Sequence, residues 1–163
     1  MIDHGQIAKE KFLKGYTCAQ AVFCAFCPEM GIDEQTGLAL SSSFGGGMGK
    51  LRLVCGALSG AFMVLGVLYG DYQPGDNKGK ATHYERVREI GKEFEKRNGS
   101  MICAEILAQG AVEAKLGQPP EERSKEYYAK RKGCMDSIVS AAEILDAYLA
   151  AHPPVRSPLQ KED

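Results

Sequence analysis

A chain of 163 residues with 20 basic and 21 acidic side chains carries a formal charge of −1. That balance leaves no electrostatic footprint for nucleic acid and no polybasic membrane anchor. A content of 44% hydrophobic and 25% charged residues suits one ordinary globular domain with a continuous core. The start Met1-Ile2-Asp3-His4 turns charged at Lys9, Glu10 and Lys11, unlike a secretory leader, so the expected setting is cytoplasmic. In a reducing compartment six cysteines read as metal ligands, reactive thiols or small buried hydrophobes before they read as structural disulfides.

Helical signals dominate the chain. A first helix is predicted from about Asp3, its N-cap, to about Phe26, with Ala8, Phe12, Ala19, Val22 and Phe26 at helical spacing and Pro28 ending it. Asp33 can cap a second helix reaching Ser43, which the run Gly45-Gly46-Gly47-Met48-Gly49 breaks. A helix near Val54 to Tyr69 is uncharged. It carries the spaced pairs Gly56/Gly60 and Gly66/Gly70, and it reads as buried in a bundle rather than crossing a membrane. A polar turn leads to a charged helix from about Lys80 to Arg97 with Val87, Ile90, Gly91 and Phe94 facing inward. Asn98-Gly99 is a stop, and Ser100 can cap a short helix bearing Cys103, Ile106 and Leu107. Beyond Pro119-Pro120 a tyrosine-bearing helix should end near Gly133. A last helix then presents Met135, Ile138, Val139, Ala142, Leu145 and Leu149. The expected fold is all-α: a compact single-domain bundle of five to seven helices over residues 1–152 with a buried, glycine-rich central helix. Residues 153–163 form a loose proline-rich tail.

On this map Cys55, Cys103 and Cys134 fall near helix beginnings, where free N–H groups and the helix dipole favour thiolate, while Cys18 is expected mid-helix. Taken singly, each could be a small buried hydrophobe. Cys24-Ala25-Phe26-Cys27 has thioredoxin-like spacing, but it closes a helix instead of opening one and reads as packing or an accessory pair. The segment Phe44 to Leu51 fails as a phosphate loop at its first glycine and at the hydroxyl residue after Lys50. His4, His83 and His152 lack metal-ligand spacing and read as surface residues. Lys130-Arg131-Lys132 reads as a solvated helix end, and Tyr127 and Tyr128 as packing.

The residues Tyr16-Thr17-Cys18-Ala19-Gln20-Ala21-Val22, the run Phe44 to Gly49, the hexapeptide Cys55-Gly56-Ala57-Leu58-Ser59-Gly60, and then Cys103 and Cys134 together resemble the CGAxxG-motif, or C_GCAxxG_C_C, family of redox-active proteins. The resemblance runs from about Phe12 to Leu149. It implies that Cys18, Cys55, Cys103 and Cys134 are the four characteristic cysteines. A related domain in split-Soret-type cytochromes is associated with an iron–sulfur cluster, which makes cluster binding an expectation here.

Three chemistries compete. Four thiolates are the usual ligand complement of a 2Fe–2S cluster, and Gly45, Gly46, Gly47 and Gly49 would let backbone N–H groups approach its sulfides for electron transfer or redox sensing. Zinc accepts the same donors but usually draws them in closely spaced pairs, so it suits this spacing less well. Cluster-free thiol–disulfide exchange would use Cys55 and Cys103, one of them exposed and of low pKa. A non-catalytic helical binding module is the third reading. The expected partner is a redox protein, with no nucleic acid and no membrane insertion, and the glycine-lined helix would suit a symmetric homodimer.

Overall fold

The computed structural model describes residues 1–113, 116 and 121–154. Among these the chain forms ten helical segments and no strand. They are α1 (His4–Leu13), α2 (Cys18–Ala25), α3 (Cys27–Met30), α4 (Glu34–Ser41), α5 (Gly45–Met48), α6 (Gly56–Tyr69), α7 (Asn77–Asn98), α8 (Cys103–Gln109), α9 (Lys125–Lys130) and α10 (Lys132–Ala151). The all-α class holds, with more and shorter segments than the expected five to seven. The tail beyond residue 154 and Pro119-Pro120 lie outside the described residues.

The difference begins at the expected long first helix, which is two helices. Gly15 takes φ +105°, a left-handed conformation that stops α1. Thr17 then opens α2 with a capping box: the Gln20 N–H donates to Thr17 Oγ1 at 3.2 Å, and the Thr17 N–H donates to Gln20 Oε1 at 3.1 Å. Cys18 is therefore the opening residue of α2, not a mid-helix residue. Pro28 does not end a helix but sits in the first turn of α3, where its missing N–H costs nothing.

Helix α6 is central, packed against α2 and α10. Leu58, Leu65 and Val64 on α6 meet Phe23 and Val22 of α2 and Leu145 of α10 in a core where each is fully buried. Burial of this kind contributes about 1.5–3 kcal/mol per large side chain. The α2–α6 contact is close because α6 is bare at Gly60, where a Cβ would lie 2.8 Å from the Ala19 carbonyl oxygen. Among the described residues no helix is long and apolar enough to cross a membrane.

Helix α7 is longer than expected because Asp76 caps it, accepting from the Gly79 N–H at 2.9 Å. Its buried face is Ile90, Gly91 and Phe94, joined by His83. His83 and His4 are both buried, against the surface expectation. His4 stacks on Phe26 with ring centroids 4.0 Å apart. Its two ring nitrogens bridge Asp146 at 2.6 Å and Glu29 at 2.8 Å, tying α1 to α10 and α3. Ser100 is not the cap of α8. That helix begins at Cys103 after Ile102, while the Ser100 hydroxyl accepts from the Ile102 N–H at 2.9 Å. Gly133 lies inside α10, not at the end of the tyrosine helix.

Candidate functional site

Cys18, Cys55, Cys103 and Cys134 line one cavity of about 240 Å³. Each enters from the start of its own helix. Cys18 and Cys103 are the opening residues of α2 and α8, Cys55 is the residue before α6, and Cys134 is the third residue of α10.

Two local devices hold them. A single antiparallel bridge joins Val54 to Ile102. Around it the Cys55 N–H donates to the Met101 carbonyl at 2.8 Å, and the Cys103 N–H donates to the Leu53 carbonyl at 2.6 Å. The residues that follow this bridge are the two cysteines, so their backbones are fixed relative to each other. The second device is glycine. A Cβ on Gly56 would overlap Cys18 Sγ, and one on Gly47 would approach the Cys103 Cβ to 2.6 Å and the Leu53 nitrogen to 2.7 Å. Gly46 and Gly47 take φ +67° and +70°, winding the chain so that the Gly46 carbonyl accepts from Arg52 N–H at 3.2 Å and the Gly47 carbonyl accepts from Leu53 N–H at 3.0 Å.

The four glycines expected to face a ligand divide. Gly45 and Gly46 line the cavity, and the Gly46 N–H donates to the Cys18 sulfur. Gly47 packs against Cys103, and Gly49 closes the turn at φ +57° away from the cavity lining.

The helix starts supply N–H donors, yet the thiols of Cys55 and Cys134 are not shifted downward as expected. Burial pushes Cys18 up, with Cys103 nearby adding to the rise and the Gly46 and Ala19 N–H groups opposing it. Burial likewise drives Cys55 well up, reinforced by Cys18 and Cys134, against the N–H groups of Ala57 and Leu58. Cys134 is pushed up to about 12 by burial and then by Cys18 and Cys103, with Arg131 and Arg52 opposing. Desolvation of a charge in an enclosed site outweighs a few backbone dipoles. These mutual effects also record how near the sulfurs are to one another. Taking all four to thiolate calls for a positive group among them.

Several charged lining residues have no part in the site as read from the sequence. Lys50, Arg52, Arg123 and Arg131 line the cavity with one carboxylate, Glu121. The Arg52 guanidinium reaches Cys103 Sγ at 3.7 Å. Arg131, expected on a solvated face, is buried. It pairs with Glu121 at 2.8 Å and lies over the Tyr127 ring at 4.1 Å. Arg123 donates to the Phe12 and Tyr16 carbonyls at 2.9 and 3.0 Å, fastening the α9 approach to the end of α1. Tyr127 thus packs, and packs against the site, while Tyr128 sits edge-on to Phe12.

Away from this cavity Cys24, Cys27 and Glu34 bring their ligand atoms within 4.8 Å of one another, the one such trio of histidine, cysteine or carboxylate groups among the described residues. Cys24 and Cys27, read from the sequence as packing or an accessory pair, are almost wholly buried.

Comparison with curated proteins and with solved structures finds no match. A family profile described as "Putative redox-active protein (C_GCAxxG_C_C)" matches residues 16–148. That span takes in α2 through most of α10 and all four cavity cysteines; the chain belongs to this family.

Proposed function

We propose that the four-cysteine cavity holds a 2Fe–2S cluster through Cys18, Cys55, Cys103 and Cys134 and that the protein works in electron transfer or redox sensing. The observation that carries this reading is the convergence of the four cysteines on one cavity. A structural zinc usually draws its ligands in closely spaced pairs, and these four come from the starts of four separate helices. A two-iron cluster spans a wider set of ligands.

The rest of the lining supports the same reading. Four thiolates around a cluster leave net negative charge, and three arginines and a lysine line the cavity against one glutamate. The Gly46 N–H and the α6 N–H groups of Ala57 and Leu58 are donors to cysteine sulfur, the kind of hydrogen bond that tunes cluster potential. When bound, the cluster would supply one-electron redox chemistry. The chain's own contribution is to hold the sulfurs, shield them with Phe12, Ile106 and Leu107, and offset charge through Arg52 and Arg131.

Thiol–disulfide exchange at Cys55 and Cys103 fits less well. Both are buried out of reach of a partner protein's disulfide, and Cys55 is pushed toward the thiol form, whereas exchange needs a thiolate that such a disulfide can meet. Anaerobic purification of Cys55→Ser beside the parent tests the assignment. Loss of visible absorbance and of iron in the variant supports Cys55 as a ligand, and full iron content removes it.

A further inference from the structure

The pair Cys24 and Cys27 stands outside the four-cysteine cavity, and the proposed function makes no use of it. Cys24 lies in the last turn of α2 and Cys27 opens α3, one turn apart across the kink at Phe26. Their sulfurs are within 4.8 Å of each other, and Cys27 S–H donates to Cys24 Sγ. That hydrogen bond and the Lys11 charge favour the thiolate of Cys24, opposed by burial and Glu34, while the Ser41 hydroxyl donates to the Gly37 carbonyl at 2.7 Å. Cys27 is shifted upward, chiefly because it gives its proton to Cys24. The pair is thus polarised into one nucleophile and one proton-bearing neighbour.

The fold also shapes space for the pair. Gly37 of α4 lies directly over it: a Cβ there would come within 2.5 Å of Cys27 Sγ and 3.1 Å of Cys24 Sγ. Helix α4 is a thin cover. Its buried residues are Gly37 and Ser41 and its apolar hold on the core is the half-buried Leu38, so a small oxidant reaches the pair when the Lys11–Glu34, Tyr16–Glu34 and Gln20–Leu38 contacts open and that one leucine lifts. A metal ion fits this place poorly. Glu34 Oε1 already accepts from Lys11 Nζ at 2.5 Å and from the Tyr16 hydroxyl at 2.7 Å, and the Lys11 charge would repel a cation.

We propose that Cys24 and Cys27 form a second redox centre, a dithiol that hydrogen peroxide converts to an intramolecular disulfide independently of the four-cysteine site. The Cys24 thiolate attacks one peroxide oxygen. The O–O bond breaks, hydroxide leaves and takes a proton, and Cys24 becomes a sulfenic acid. The Cys27 sulfur then displaces hydroxide from Cys24, forming the S–S bond. In sum two thiols and one peroxide give one disulfide and two waters.

The test treats the full chain with hydrogen peroxide, denatures it, alkylates free thiols and maps peptides by mass spectrometry. The expected product is a peptide holding Cys24 and Cys27, unalkylated at both, lighter by two hydrogens and restored by a dithiol reductant. In Cys27→Ser, which keeps size and shape, a sulfenic acid at Cys24 should be trapped by a 1,3-diketone reagent. Alkylation of both cysteines after peroxide, or Cys24 linked to one of the cavity cysteines, overturns the proposal. Iron content, read in parallel, reports on the cluster separately.

Discussion

Gly56 and the thiol of Cys18 share one space: a side-chain carbon on residue 56 would overlap the Cys18 sulfur and press to 2.8 Å on the Phe44 carbonyl oxygen. The second residue of the hexapeptide is thus tied to a cysteine 38 positions earlier (56 minus 18). The bare backbone of α6 lets α2 deliver Cys18 beside Cys55.

Gly56→Ala should therefore disrupt both packing and site, costing about 1–3 kcal/mol of stability as overpacked positions do. Gly66→Ala is the control. Nothing lies within 4 Å of a Cβ there, and the residue sits inside α6, so alanine should stabilise by about 0.5–1 kcal/mol. Denaturant titration of the two variants checks the opposite signs.

The metal-free chain should lose stability in alkali. Cys134 is protonated in both states below pH 9.0. Between 9.0 and about 12 the unfolded thiol ionises while the folded one keeps its proton, so unfolding becomes easier as pH rises through that window. Cys18 and Cys55 act in the same direction, as do Tyr16 and Tyr69, each raised from 10.0 to about 12. Cys134→Ser should show a shallower fall in melting temperature over this range than the parent.

His4 should be a strong stability determinant despite its place near the N-terminus. Replacing it with alanine removes the stack on Phe26 and leaves the carboxylates of Asp146 and Glu29, both partly buried, without their shared partner. A loss of about 2–4 kcal/mol is expected by chemical denaturation.

Arg52→Gln should make a bound cluster harder to reduce. The guanidinium lies 3.7 Å from Cys103 Sγ, and removing a positive charge there disfavours the more negative, reduced state. The expected change is a fall of roughly tens of millivolts, read by redox titration.

Much of this was legible in the residues. Asp33 capped α4 as expected, and the interior faces of α7 and α10 followed their periodicity, whereas α4 ends at Ser41, before the glycine run, and that run forms the short α5 with left-handed Gly46 and Gly47. The position of Cys18 was misread because apolar spacing continues across Gly15, although Thr17 and Gln20 already spell a capping box. Arg131 was placed in solvent because a run of three basic residues looks the same whether or not a distant glutamate turns one of them inward. The upward shifts of Cys55 and Cys134 run against the sequence expectation for a general reason. Helix-start donors can be read locally, whereas burial depends on what the other helices bring.

Iron and acid-labile sulfide analysis of the anaerobically purified chain tests the central claim most directly. The account predicts iron and sulfide in equal amounts with visible absorbance, both lost when Cys18, Cys55, Cys103 or Cys134 is replaced by serine. Zinc without sulfide, or a colourless protein with four free thiols in the cavity, would contradict it.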